Sequence, residues 1–480
     1  MREELSLRPG RPRQRRLGVP SLLALALACR PGNSAPAPAP FDEATGTLVL
    51  EGGMLVNPGA PPIANATVVL RNGRVVCAGP GAECVPPKGS PRLDVRATYV
   101  GPGLIDAHVH YSQTGWVDGR PDAIDLRSRY PYDSVIRDLA SHPERFHRSN
   151  LCSGVTTVFD VGGYPWTYAV ARASRAASDA PRVVAAGPLL ATIQVDSQMR
   201  GQFVYMSDSA TVRAAVREHK RQGAEALKVW YIEVPDSVQP HAKAMLMVAA
   251  AEARKAGLRL IVHATELATA KDALEAGAAV LVHDVFTGTI DDELLGAAKR
   301  NHTIVIPTLT VLEGYADVFA GRSPGLRYPL DCVDSGTRQR LEIVLPESLR
   351  AKGEAFWGGP EAKRLRDTGA ENLRRLYQAG IPIAMGTDAG NPGTAHGPSV
   401  YREMEAMQQA GMPAGAVFAA ATIVSARAMA LDGEIGSIAP GKRADLVVFE
   451  ADPTADARNA RRIRFVIRNG KLYRQQQLLP

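Results

Sequence analysis

The longest apolar run in this chain of 480 residues is LGVPSLLALALA, residues 17–28, about a dozen residues and too short to cross a bilayer. No glycine-rich dinucleotide fingerprint follows the first central strand, so a nucleotide-binding doubly wound sheet lacks its site. A basic stripe is missing too. The net charge is +7, yet residues 1–28 carry six Arg and two Glu; without them 50 basic residues face 47 acidic ones, a balance of +3. Nucleic acid is thereby excluded as a partner class. Cysteine is sparse, with five residues, and none joins the His and Asp positions singled out below. That argues against a structural zinc site or an iron–sulfur cluster. What remains is an ordinary globular composition, 45% hydrophobic and 22% charged.

The N-terminus reads as a targeting segment: RPRQRR is a basic region, the apolar run follows, and small-x-small cleavage sites end at Ala26 and Ala28. Cys29 comes next, so ALAC is similar to a bacterial lipoprotein signal with Ala26 in place of the usual Leu. The expectation is export, to the periplasm or to a membrane anchored only through lipidation of Cys29. The competing expectation is an over-extended start on a cytoplasmic protein. Arg15-Arg16 fits twin-arginine export poorly. Cys77 and Cys84 flank a Gly-Pro-Gly turn and are a candidate disulfide in an oxidising compartment. Cys152, in an apolar helix-to-strand stretch, reads as a plain core residue.

Residues 1–40 are read as leader plus a Pro/Ala linker, NSAPAPAP. Short strands broken by Gly, Asn-Gly and Pro fill 41–100, and a matching set closes the chain at 431–480; together they are expected to form a small β-sandwich domain. Between them, residues 101–430 alternate apolar strands with helical patterns. Eight strand–helix repeats, from GLIDAHVH to IPIAMGTDAG, predict an α/β fold of the (β/α)₈ barrel type. The connections at about 111–150 and 311–370 are unusually long, suited to a lid over the site or to a contact between copies in a homo-oligomer.

The polar residues on those strands carry the chemistry. GLIDAHVH ends the first strand with two histidines one residue apart, and strand alternation turns His108 and His110 to the same face. Alone, such a pair is more often packing than a metal site. Lys228 stands inside the apolar ALKVWY of the fourth strand, His263 ends the fifth, His283 ends the sixth and Asp388 ends the eighth. All fall toward the C-terminal strand ends, the face where barrels hold their chemistry. Five strands delivering metal-ligand types to one rim is a constellation.

That constellation, with GTDAG and the tail GSIAPGKRADLVVF, resembles the amidohydrolase superfamily from about residue 45 to 475. The branch it is most similar to is the imidazolonepropionase-related, secreted metal-dependent hydrolases that include Xaa-Pro dipeptidases. The resemblance implies His108, His110 and Asp388 on one divalent ion, His263 and His283 on a second, and a carbamate on Lys228 bridging the two. Zinc suits these donors. It further implies hydrolysis of a C–N amide bond in a dipeptide or N-acyl amino acid by a metal-bridging hydroxide, with Asp388 as proton shuttle. VHDV around His283 departs from the EHA of that branch, and Asp284 is expected to point away from His283. Tyr231 and His396 are the candidate substrate-binding residues.

Two alternatives stand beside this one. His263-Ala-Thr-Glu266 has the spacing of mononuclear deaminases of the same superfamily, in which Glu266 would be the general acid and Lys228 merely buried; a cyclic-amide hydrolase belongs with it. The other is a non-catalytic exported binding protein, which the intact His and Asp set disfavours.

Overall fold

The computed structural model describes residues 46–480; the expected leader, linker and Cys29 lie outside the described residues. Seven of the eight expected barrel positions hold parallel strands, Leu104–Val109, Val155–Asp160, Arg182–Ala185, Ala226–Trp230, Arg259–His263, Val280–Val282 and Ile304–Ile306, and the short parallel strands Leu189–Ala191 and Phe203–Tyr205 join them. Helices connect them and cover their outer face. One connection shows why it is helical where it is. The helix Ser209–Gln222 starts where the Asp208 carboxylate accepts from the backbone of Ala210 and Thr211, and stops at Gly223 in left-handed backbone.

A continuous closed ladder of eight strands was expected, and the pairing departs from it in two places. The stretch RVVAAGPLL is two strands, because Gly187 takes φ 76° and Pro188 has no N–H to give. Its first half pairs with Val155–Asp160 in a three-stranded sheet. Its second half, Leu189–Ala191, pairs with Ala226–Trp230 in a six-stranded sheet. At the eighth position no regular strand forms. The segment after Ile381 instead bridges both neighbours, Ile383 against Val305 and Ala389 against Val109. Backbone bonds from Ala384 to Val305 and from Ala107 to Met385, both 2.9 Å, stitch that seam.

The two ends of the chain meet in one eight-stranded sheet, in which Leu446–Phe449 pairs with both Tyr99–Pro102 and Ile463–Arg468. Hydrogen-bonded pairing runs through this single sheet without dividing it into two, and a separate β-sandwich domain is not confirmed. Alternation explains it. Leu446 and Val448 pack into the sheet's own core with Leu50, Leu70 and Phe465, whereas Val447 and Phe449 join the main core of the central unit. The second face of the sheet is thus closed by the helices, Phe418 edge-on to Phe449 among them. The buried Arg468 strengthens the join, pairing with Asp445 at 3.0 Å and donating to the carbonyls of Ser174 and Ala180.

Two disulfides are present. Cys77 and Cys84 are joined across their turn, as expected. Cys152 is not a plain core residue: it is bonded to Cys332, 180 residues away. Cys332 lies in the long segment after the seventh strand, so the bond ties that segment to the helix Glu144–Cys152.

Candidate active site and metal centre

The strand register delivers the site. A register shift between Asp106 and Val109 changes the alternation. Ile105 and Ala107 sit in the inner apolar core, and beyond the shift His108 and His110 open into a cavity while Val109 packs outward. Gly386 is required opposite them, since a Cβ there would meet His108 Cβ at 2.7 Å and its backbone N at 2.8 Å. Asp106, which the sequence did not flag, is the brace: its carboxylate accepts from the backbone of His108 and Thr387 and from the Thr387 hydroxyl. This clamps the first strand to the segment bearing Asp388. His283 and Asp388 both hold left-handed backbone, φ 72° and 59°. Such strain in non-glycine residues persists where the surroundings over-determine it.

The side chains converge. Asp388 Oδ1 lies 3.0 Å from His110 Nε2 and 3.2 Å from His108 Nε2, and those two nitrogens are 3.3 Å apart. One ligand atom each from His108, His283 and Asp388 falls within 4.8 Å of the others. The His263 ring is 4.4 Å from that of His283. Lys228, 1% exposed, lines the same cavity. All six expected ligand positions are therefore brought together.

Electrostatics prepare these groups. Burial takes His108 down to about 3, against the pull of Asp388. Burial also holds His263 and His283 well below the ordinary imidazole range, aided by each site's neighbouring charges. These imidazoles are neutral and keep a lone pair. Burial would raise Asp388, but His108 and His110 beside it hold it well below the usual carboxylate range. Burial brings Lys228 to about 7, with Asp388 opposing.

The fit to a cation rests on acceptors. His110 Nδ1 is 2.6 Å from the Gly162 carbonyl, which can only accept, so in the neutral ring Nε2 is a bare lone pair. Nε2 of His110, Nε2 of His108 and Oδ1 of Asp388 thus lie within 3.3 Å of one another, the nitrogen and oxygen donors that a divalent cation takes. The second nitrogens are held in the manner of metal-binding histidines, His110 by a carbonyl and His283 by Thr308 Oγ1 at 2.6 Å.

The cavity has a volume of about 400 Å³, with the ligand cluster inside it and walls of Phe203, Trp230, Phe286, Leu312, Tyr315 and Trp357. Trp230 was legible from the sequence by period two from Lys228. Tyr315, Trp357 and Arg120 come from the two long connections and had no such signal.

Three candidate residues, Glu266 of the alternative reading among them, lie outside the cavity lining. Tyr231 does not line the cavity; one residue out of phase with Lys228 and Trp230, it points outward, donates to Asp272 Oδ2 at 2.8 Å and accepts from Gln239. His396 is buried behind the loop after the first strand, stacked on Phe146 at 3.9 Å and edge-on to Tyr111, and does not reach the cavity. Glu266 caps the helix Leu267–Glu275: its carboxylate accepts from the Thr265 and Thr269 hydroxyls at 2.7 and 2.9 Å. It is not on the cavity wall. Asp284 does point away from the cluster, as expected, into a separate cavity of about 240 Å³.

Fold and site define an α/β protein with a buried His/Asp centre suited to metal. Residues 99–473 match the amidohydrolase family, and the chain belongs to that family, which makes it an enzyme acting on C–N bonds. It is 24% identical over 417 residues to a 5-methylthioadenosine/S-adenosylhomocysteine deaminase of Symbiobacterium thermophilum, covering 84% of this chain and 85% of that one. It is 25% identical over 419 residues to an imidazolonepropionase of Maricaulis maris, covering 82% and 89%. Its fold is similar to the crystal structure of a Xaa-Pro dipeptidase with bound methionine, at a TM-score of 0.68 and 22% identity, covering 89% of this chain and all of the other.

Proposed function

We propose that this protein is a metal-dependent hydrolase of C–N amide bonds in dipeptides or N-acyl amino acids. The observation that carries the reading is the meeting of Asp388 Oδ1 with the Nε2 atoms of His108 and His110, beside a buried Lys228, in an apolar cavity. His108, His110 and Asp388 would hold one divalent ion and His263 and His283 another, zinc suiting the donors, with a carbamate on Lys228 between them. When bound, such a pair polarises the scissile carbonyl and lowers the pKa of water at the site.

The chain's own residues supply the rest. Lys228, brought by burial to about 7, has a substantial neutral fraction, the form that adds CO₂. An ammonium kept at that depth would be costly, and among the described residues no carboxylate forms an ion pair with it. Asp388 is ionised and takes the proton of the attacking water, then returns it to the departing amine. The aromatic walls exclude bulk water and receive an apolar substrate group.

Export is part of the proposal. Two disulfides support an oxidising compartment, and the leader reading of residues 1–40 supports the periplasm or a lipid anchor at Cys29. The deaminase reading has a relative of that name beside it, but Glu266 is committed to its helix cap.

The test is a metal count with activity. Protein loaded with zinc or manganese in the presence of bicarbonate is expected to hold two ions per chain and to hydrolyse members of a panel of dipeptides and N-acyl amino acids. Lys228→Ala should lose an ion and the activity. One ion per chain, unaffected by that substitution, would overturn the binuclear centre; metal binding without cleavage of any panel member would overturn the substrate class.

A further inference from the structure

Of the groups lining the main cavity, Lys228 and Arg120 are the cations among the described residues. With Lys228 assigned to the metal centre, Arg120 is left for a substrate anion. It arrives on the long connection after the first strand, half-buried, and the structure holds it on three sides. Nε and Nη2 donate to the two oxygens of Asp122 at 2.9 and 2.7 Å, Nη1 donates to Asn391 Oδ1, and the Tyr315 ring lies 5.9 Å beneath it. Tyr315 is itself fixed, with its hydroxyl on Asn391 Oδ1 at 3.0 Å and its ring stacked on Trp357 at 4.4 Å. A guanidinium has five N–H donors; Asp122 and Asn391 take three, leaving one on Nη1 and one on Nη2 beside the Tyr315 hydroxyl. Rigid mounting lowers the ordering cost of binding one.

The direction of the substrate follows from Asn391. Its Nδ2 donates to the backbone carbonyl of Asp388 at 3.1 Å, so Arg120 is joined through one side chain to the residue proposed to protonate the departing amine. In an α-amino acid a single carbon separates nitrogen from carboxylate. The amine beside Asp388 and the anion beside Arg120 are accordingly assigned to one amino-acid unit, with its acyl partner on the aromatic wall.

We infer that Arg120 is the specificity-determining anchor for the α-carboxylate of the departing amino acid, which restricts the enzyme to amides with a free terminal carboxylate and an apolar acyl side. This rests on the proposed hydrolase function and says which end of the substrate is read, and by what.

The experiment compares N-acyl derivatives of leucine, methionine and phenylalanine, and dipeptides ending in them, with the same compounds as terminal carboxamides. The zinc-loaded enzyme is expected to favour the carboxylates by about 100-fold or more in kcat/KM. In Arg120→Gln that ratio should fall close to one, through loss on the carboxylate series carried mainly by KM. Arg120→Lys, which keeps the charge without the fork, should fall between the two and serves if the Gln variant folds poorly. Equal loss on both series in the variants, or equal rates on both in the unaltered enzyme, would overturn the anchor while leaving the hydrolase. Failure to cleave either series would overturn the hydrolase reading, and the anchor with it.

Discussion

His283 Nδ1 lies 2.6 Å from Thr308 Oγ1, and both residues hold left-handed backbone, at φ 72° and 52°. Neither is glycine, so each conformation costs about 1–3 kcal/mol and has to be imposed. The His283 amide is fixed on the Ile306 carbonyl at 2.8 Å, and the helix that Thr308 precedes is anchored by Glu403. The bond between the two side chains sets the ring so that its other nitrogen faces the cluster. Thr308→Val keeps the shape and removes the partner. It should weaken divalent-metal affinity by about 10- to 100-fold, read by competition with a chromophoric chelator. Affinity unchanged from the parent would mean that Thr308 does not orient the ligand.

Glu266 separates two chemistries. Were it the acid of a mononuclear deaminase, Glu266→Gln would remove activity by about two to four orders of magnitude. Its hydrogen bonds to Thr265 and Thr269 give a different expectation: kcat/KM within about tenfold of the parent, and a stability loss of about 1 kcal/mol from the weakened cap. Parallel kinetics and thermal unfolding of the one variant decide between them.

Glu403 should give the stability a pH slope of known sign. It is fully buried, with its carboxylate accepting from the Leu309 and Thr310 amides and the Thr310 hydroxyl. Burial nevertheless raises it to about 7, against those hydrogen bonds and with Glu313 adding to the rise. A carboxyl whose pKa is higher folded than unfolded binds its proton more tightly in the folded state. Its contribution is therefore full below about pH 4.5 and is lost as pH climbs through about 7, amounting to about 3 kcal/mol at most. The stability of the parent relative to Glu403→Gln should fall between pH 5 and pH 8, measured by unfolding at several pH values. A difference independent of pH would show that the carboxyl titrates normally.

How far the sequence reached depends on the range of the interactions involved. His108, His110, Lys228, His263, His283 and Asp388 were legible because each ends or occupies a strand, and strand ends of parallel α/β units share one rim. Tyr231 was misplaced within reach of the same rule. Once Lys228 faces in, Trp230 and Ile232 must follow, and residue 231 faces the helices. Arg120 and the aromatic wall were out of reach, since nothing local says where a connection of some forty residues returns to the cavity. The split of the third strand was foreshadowed by Gly187-Pro188, whose missing N–H cannot serve a ladder. The second disulfide was hidden for the simplest reason, that partners 180 residues apart leave no spacing to read.

That second disulfide should dominate the redox sensitivity of the protein. In the chain-entropy picture, a bond closing 180 residues restricts the unfolded chain by about 5 kcal/mol, against about 2 kcal/mol for one closing 7. Its position adds a local consequence. Cys332 belongs to the main core, while its chain neighbours Leu330 and Val333 pack in a small core with Tyr328 and Ala395. The Tyr328 hydroxyl donates to the Gly393 carbonyl at 2.8 Å and accepts from the Ala395 amide at 3.0 Å, bracing the loop that follows Asp388. Releasing Cys332 should therefore slacken that loop as well as the long segment carrying Tyr315 and Trp357. A Cys152→Ser/Cys332→Ser variant is expected to unfold at lower temperature than Cys77→Ser/Cys84→Ser, and to lose activity on warming before its global transition. Thiol treatment of the parent should reproduce the first pattern, not the second. Equal unfolding temperatures in the two variants would show that the long cross-link carries no more stability than the short one.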